Sequence, residues 1–168
     1  FYAYIGTGQM VNLRETDQII YRNLLEYAQT TGDTKFANRL LELGEPPYFG
    51  NNPVMKYKDV LAREYGIFQV PHIKSQEYLQ HGDLFALMLR SPEYTLVDKI
   101  NFARGLMTTF NLVYPQLQAF DFRNDVLELN VPVYMILGRH DSNATPELAA
   151  EYFNMLKAPL KRLYYFED

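Results

Sequence analysis

The residues best suited to chemistry follow an apolar run near the end of the chain. Residues 131–137 form this run and predict a strand buried on both faces, and Gly138, Arg139, His140 and Asp141 come directly after it. In an open parallel sheet, the loops that leave the carboxyl ends of the strands converge on a crevice where ligands bind. The carboxylate of Asp141 is therefore the first candidate catalytic residue. The alternative is that these four residues form only a polar turn.

Composition narrows the class of protein and its partners. The chain has 168 residues, of which 48% are hydrophobic and 21% are charged, and its formal net charge is -4. These values are typical of a globular domain with its own core. The acidic balance and the scattered basic residues argue against nucleic-acid binding, and no apolar stretch approaches the ~20 residues that cross a membrane. We therefore expect a small-molecule or short-peptide substrate, no nucleic acid and no membrane.

The sequence contains no motif for binding a metal ion or a dinucleotide cofactor. The chain has no cysteine, and its three histidines, His72, His81 and His140, are scattered without a His-Glu-x-x-His pattern. The early turn Gly6-Thr7-Gly8 lacks the third glycine of a dinucleotide-binding loop, because Val11 stands at that position. We expect no metal and no cofactor. A chain without disulfides is also compatible with the cytoplasm, where we expect this protein to act.

Helical patterns dominate the chain after an opening strand. The strand is predicted over residues 1–5, and each later segment begins at a capping residue or proline and ends at a glycine or proline. Apolar residues recur at helical spacing within these segments. The predicted helices cover Asn12 to Gly32, Thr34 to Gly44, Pro53 to Gly66, Gln76 to Leu89, and a segment that opens at the Thr95 and Asp98 capping box and continues through Phe110.

The last quarter of the chain alternates strand and helix. After the strand over residues 131–137, Thr145 as a cap and Pro146 in the first turn predict a helix that Pro159 stops. A final strand is predicted from Lys161 to Phe166. A strand, a helix and a strand of this length predict a right-handed crossover between parallel strands. The fold class is therefore α/β, although most residues are helical.

This order of elements resembles the C-terminal half of an α/β-hydrolase, from its sixth strand to its eighth. The opening residues 1–9 are similar to the strand that leads into the cap of proline-iminopeptidase-like members. The residues that carry the resemblance in the last quarter are Gly138 to Asp141, Pro146 at the start of a helix, Leu156 to Pro159, and Lys161 to Asp168. The resemblance implies that residues 1–11 form a core strand, residues 12–122 a helical cap or lid, and residues 123–168 the C-terminal strand-helix-strand of the core.

The resemblance also implies a catalytic role for Asp141. In this family the acid after the seventh strand orients a catalytic histidine that follows the eighth strand, and the nucleophile lies in a Gly-x-Ser-x-Gly elbow before the sixth. The sequence contains neither the elbow nor the late histidine, and Ser75, Ser91 and Ser142 have no elbow around them. We read the three histidines as surface or structural residues. We therefore expect a fragment of a serine hydrolase, aminopeptidase-like, that cleaves amide or ester bonds and is inactive alone.

Two other interpretations of the sequence stay open. The missing elbow residue could be Asp, as in epoxide hydrolases and dehalogenases of this fold, or the chain could be a non-catalytic helical module for binding or oligomerisation. Candidate substrate contacts are Gln9, Met88, Met107 and Phe110, although an exposed turn is the favoured explanation for Gln9 and core packing for the other three. The strand over residues 1–5 would leave an unpaired edge. We expect that edge to bind a missing N-terminal half of the protein or a second copy.

Overall fold

A three-stranded parallel sheet and a long helical insertion make up the fold. The computed structural model describes residues 1–50, 53–74 and 84–167. Strands β1 (Tyr4–Thr7), β2 (Val133–Gly138) and β3 (Lys161–Phe166) pair in the order β1-β2-β3, with β2 in the centre. Both pairings are parallel. The chain is thus mixed α/β, and the predicted parallel arrangement of three strands is present.

The part of the chain that the structure describes also contains seven α-helices. Asn12 caps the first helix by accepting a hydrogen bond from the Glu15 N–H at 3.0 Å, and Thr95 and Asp98 form the predicted capping box. The helices are α1 (Leu13–Thr30), α2 (Thr34–Leu43), α3 (Pro53–Glu64), α4 (Leu84–Arg90), α5 (Leu96–Leu117), α6 (Phe122–Asp125) and α7 (Pro146–Met155).

Several predicted boundaries are wrong for identifiable reasons. Strand β1 is displaced from residues 1–5 to Tyr4–Thr7, because pairing with β2 begins where the Tyr4 N–H donates to the Pro132 carbonyl at 2.8 Å. Thr145 precedes α7, but its side chain makes no capping bond and lies 3.4 Å from the Thr16 hydroxyl. Pro146 alone opens that helix, as its fixed φ allows.

Helix α3 ends at Glu64, but the backbone does not leave the helical path at Gly66 as predicted. Its chain continues directly into a π-helical turn, Tyr65–Gln69, and then a 3₁₀ turn, Val70–His72. Gly66 keeps a conformation open to any residue, so it does not act as a left-handed terminator. Of the helix predicted from Gln76 to Leu89, residues 76–83 lie outside the described part, and α4 covers the remainder.

Helix α5 also departs from expectation, because its predicted inward face is largely open. Leu96, Ile100 and Met107 are 75%, 50% and 39% exposed, and Tyr114 near its end is buried. The apolar stripe is present in the sequence, and the later turns of α5 pack on the helical core, where Tyr114 contacts Tyr57 of α3.

Two apolar cores hold the structure together. The helical core joins α1, α2, α3 and α5, and its members include Leu24, Leu40, Tyr57 and Tyr114. The sheet core joins one face of β2 to α7, with Val133, Met135 and Leu137 packed on residues that include Leu148, Ala149, Tyr152 and Leu156.

The opposite face of β2 is only half-buried, which differs from the expected strand covered on both faces. Tyr134 and Ile136 lie on that face. Strand β1 has no second neighbour among the described strands, and Ile5 is 65% exposed. Association through this edge stays a prediction.

No helix in the described ranges is long and apolar enough to cross a membrane.

Candidate functional site

Asp141 lies in the loop that leaves the carboxyl end of the central strand. Strand β2 ends at Gly138, and the Asp141 N–H donates back to the Gly138 carbonyl at 3.3 Å. The Asp141 side chain in turn accepts a hydrogen bond from the Ala144 N–H at 2.9 Å. The carboxylate therefore closes its own loop and is held at the edge of the sheet where parallel strands place their ligands.

Two glycines leave room for this carboxylate. Gly8, just after β1, has a φ of +54°, and a Cβ built on it would lie 3.4 Å from Asp141 Oδ2. A Cβ on Gly138 would lie 3.4 Å from the Cβ of Asp141. Both distances correspond to ordinary van der Waals contact, so the ends of the two neighbouring strands lie directly beside the acid, and the positive φ of Gly8 is what favours glycine there.

Asp141 is half-buried at the meeting point of two cavities. The larger, of about 670 Å³, has walls from the ends of β1 and β2 and from the turns after α3, including Tyr65, Gln69 and His72. The smaller, of about 330 Å³, also includes Glu64 and Ser142. Cavities of this size are typical of sites for small ligands. The helical insertion therefore supplies one side of the site and the sheet the other.

Two histidines meet beside the acid. The rings of His72, from the 3₁₀ turn, and His140, from the Asp141 loop, stack with centroids 3.5 Å apart and an interplanar angle of 5°. Both residues line both cavities, as Asp141 does. Sequence reasoning read them as separate surface or structural residues, and the structure brings them together at the candidate site.

A buried carboxylate, Glu64, approaches the same loop from the end of α3. Its exposed fraction is 1%, and the Ser142 hydroxyl donates to it. Gln69 Nε2 lies 2.7 Å from Ser142 Oγ and 3.3 Å from Glu64 Oε2. Burial raises the pKa of Glu64 to about 7; the Gln69 hydrogen bond opposes this, and the neighbouring Asp141 charge adds to it.

The predicted substrate contacts lie apart from the residues that line these cavities. Gln9 accepts a hydrogen bond from the Tyr4 hydroxyl and donates to the Met10 carbonyl at 2.9 Å, although its neighbours Gly8 and Met10 do line the larger cavity. Met88 is buried, Met107 is exposed, and Phe110 packs on the helical core. Their roles in binding stay predictions. His81 and Ser75 lie outside the described residues.

Sequence reasoning missed Glu64 and Gln69. A signal for Glu64 was present, because it falls on the same helical stripe as Tyr57 and Val60, which are buried. A charged residue at a core position of an amphipathic helix requires a partner or a function. Gln69 gave no such signal, since it follows the predicted end of the helix.

The described residues contain no group of three or more His, Cys, Asp or Glu side chains placed to hold a metal ion.

The chain is similar to one curated bacterial protein. That protein, from Bacillus subtilis (strain 168), is named "Probable aminopeptidase YbaC", and the identity is 26% over all 168 residues. The chain spans 51% of the length of this relative. No protein-family model matches the chain, and no solved structure matches it significantly.

Proposed function

We propose that this chain supplies the acid of a Ser-His-Asp triad in an aminopeptidase-like serine hydrolase of the α/β-hydrolase type. The observation that carries the proposal is the position of Asp141, at the carboxyl end of the central parallel strand and on the wall of a cavity of about 670 Å³. The similarity to a protein named as an aminopeptidase supports the same class of reaction.

In this proposal Asp141 accepts a hydrogen bond from the catalytic histidine. The bond fixes the tautomer of the imidazole and stabilises the imidazolium that forms when the serine loses its proton to it. The loop is suited to this task, because the Ala144 N–H already holds Oδ1 in place and Gly8 leaves space beside Oδ2.

The nucleophile, the base and the oxyanion-binding N–H groups are proposed to lie in polypeptide beyond these 168 residues. The relative is about twice the length of this chain, which supports a division of the site between two halves. Backbone N–H groups at a nucleophile elbow stabilise the tetrahedral oxyanion in this type of site.

The helical insertion, residues 12–122, is proposed to act as a cap over the sheet. Tyr65 and His72 of this insertion line the larger cavity together with Gly8 and Gly138 of the sheet region. A wall of this kind excludes water from the reacting groups and shapes the space for a short peptide or small ester.

The test is Asp141→Asn in the protein expressed from its complete reading frame. With aminoacyl anilides and nitrophenyl esters as substrates, we expect kcat to fall by about 10,000-fold, because the amide holds the histidine in the wrong tautomer. Glu128→Gln makes the same chemical change at an exposed position before β2 and should leave kcat unchanged. Equal activity of Asp141→Asn and the wild type would contradict the proposal.

A fluorophosphonate probe distinguishes a serine nucleophile from an aspartate nucleophile. Covalent labelling of the wild type, slowed strongly by Asp141→Asn, is expected for a serine activated by a histidine. An active enzyme that resists the probe would instead point to the Asp nucleophile of epoxide hydrolases and dehalogenases. Failure to label together with the absence of turnover would favour the non-catalytic module.

A further inference from the structure

The segment of residues 64–72 touches the Asp141 loop at two points. Glu64 and Gln69 meet the Ser142 side chain, and His72 stacks on His140. Ser142 and His140 are the two immediate neighbours of Asp141 in the chain. The helical insertion therefore holds the loop on both sides of its acid.

The contact at Glu64 contains a buried carboxyl group, so its strength depends on whether that group is ionised. A neutral Glu64 carboxyl can share a hydrogen bond with Ser142 Oγ at no electrostatic cost, whereas an ionised one is a buried charge close to a second carboxylate, Asp141. The Gln69 amide donates to Glu64, and it is a neutral group that offsets only part of that cost.

The charged and titratable groups around Glu64 come from every neighbouring element. Tyr57 on α3 is coupled electrostatically to it, and Arg139 is engaged by Glu167, with Arg139 Nε 2.7 Å from Oε1. The others that line the two cavities with it or with Asp141 are Tyr65, His72, Lys74, His140 and Glu147.

We propose that Glu64 is a positioning residue for Asp141: when protonated it fastens residues 64–72 to the Asp141 loop through Ser142, and its ionisation loosens that contact. The contact itself is independent of any catalytic role. Its consequence for catalysis rests on the proposed function, since a loosened loop would misplace the acid that orients the histidine.

The sign of the pH dependence follows from the raised pKa of Glu64. An acid whose pKa rises from 4.5 to about 7 on folding stabilises the contact in full below pH 4.5, and this contribution is lost as pH rises through about 7. We therefore expect a firm contact at pH 5 and a loose one at pH 8.

Amide NMR of the 168-residue chain tests the contact without any assay of activity. The Ser142 N–H and the Ala144 N–H, which donates to Asp141, serve as reporters. In the wild type we expect their signals to move with a midpoint near pH 7. We also expect exchange of the Ala144 amide, corrected for its intrinsic pH dependence, to rise roughly fivefold to tenfold between pH 5 and pH 8.

Two variants assign the effect to its source. Glu64→Gln keeps the size and hydrogen-bonding capacity of the side chain but cannot ionise, so both pH responses should disappear. His72→Gln removes the neighbouring titratable ring and should leave them in place. A response that persists in Glu64→Gln, or that disappears only in His72→Gln, would overturn the proposal.

A pH profile of the complete protein separates this inference from the proposed function. If both hold, kcat/KM should fall on the alkaline side of about pH 7 in the wild type, and Glu64→Gln should remove that fall. An inactive protein with the expected NMR response would refute the proposed function alone. An active protein whose Ser142 and Ala144 signals do not respond near pH 7 would refute the role of Glu64 alone.

Discussion

The helical core and the sheet core are built on different principles. The sheet core consists of aliphatic and aromatic side chains, and its central residues, Val133, Met135 and Leu137, are at most 1% exposed. The helical core contains a carboxylate, Asp17, that is only 2% exposed, together with the hydroxyl groups of several tyrosines. The helical core adds a hydrogen-bond network around this carboxylate, whereas the sheet core relies on apolar packing and the backbone ladder, apart from the Tyr152 hydroxyl, which donates to the Val126 carbonyl at 2.9 Å.

The network at Asp17 connects three helices. Tyr57 of α3 donates to Asp17 Oδ1 at 2.7 Å, and Tyr114 of α5 donates to Oδ2 at 2.7 Å. Gln118, which follows α5, lies 3.5 Å from Oδ2. In the sheet region the backbone ladder fixes the strand positions, so apolar packing is sufficient. Helices have no such ladder between them, and a buried hydrogen-bond network can select one arrangement.

The largest effect is expected in the sheet core. Met135→Ala should lower the free energy of unfolding by about 2–5 kcal/mol, because it opens a cavity beneath the central strand, where Met135 is fully buried. Urea unfolding followed by circular dichroism measures the loss. Met55→Ala makes the same truncation on a side chain that is 50% exposed and should cost far less. Similar losses in the two variants would show that the sheet core is not tightly packed.

A smaller but more specific effect is expected at Asp17. Asp17→Asn keeps one acceptor oxygen and replaces the other with a donor, so one tyrosine hydroxyl loses its acceptor; the expected loss is about 2 kcal/mol. The same change at the exposed Glu42, Glu42→Gln, is the control. If Asp17→Asn unfolds at the same urea concentration as Glu42→Gln, the helical core is held by volume alone, and the contrast between the cores disappears.

The pH dependence of stability gives a second test of the same carboxyl. Desolvation raises the pKa of Asp17, although hydrogen bonds from Tyr57, Tyr114 and Gln118 act against it. The stability that this group contributes is therefore complete below pH 3.8 and is lost as pH rises through the higher folded pKa. The advantage of the wild type over Asp17→Asn should shrink from pH 4 upward. An advantage that grows with pH would contradict this assignment.

Local patterns in the sequence predicted much of this fold but not its polar contacts. The capping residues Asn12 and Thr95 and the strand before Asp141 could be identified because their signals span a few neighbouring residues. Asp17 and Glu64 also stand on apolar stripes of their helices, a local signal of burial that the sequence-based prediction did not use. Their partners could not be read from the pattern, since Tyr114 is 97 residues from Asp17 and Ser142 is 78 residues from Glu64.

At the candidate site, the sequence predicted the position of Asp141 but not the cavity beside it. The place of Asp141 at a strand end is a local property, but the cavity beside it requires the chain to return from residues 64–72. Gly66 was expected to end α3, and the continued π-helical turn carries Gln69 and His72 to that cavity instead. π-helical turns often occur at functional positions, and sequence periodicity does not reveal them.

Arg123 connects the helical region to the sheet region. Its guanidinium binds Asp121 beside it, with Nε 3.0 Å from Oδ1, and reaches both Glu15 of α1 and Glu151 of α7. The side chain is 15% exposed. Hydrogen bonds from Arg123 are the main reason that the pKa of Asp121 falls to about 2.

The smallest effect is therefore expected for Arg123→Lys, which keeps the charge but cannot bind three carboxylates with one planar group. We expect a loss of about 1 kcal/mol at pH 7, measured by urea unfolding. Because the stability from Asp121 is present above pH 3.8 and is lost as pH falls through about 2, the difference between wild type and variant should shrink over that interval. Hydrogen exchange should show the loss in amides of both α1 and α7. Protection that falls in only one helix would mean that Arg123 belongs to that region and does not connect the two.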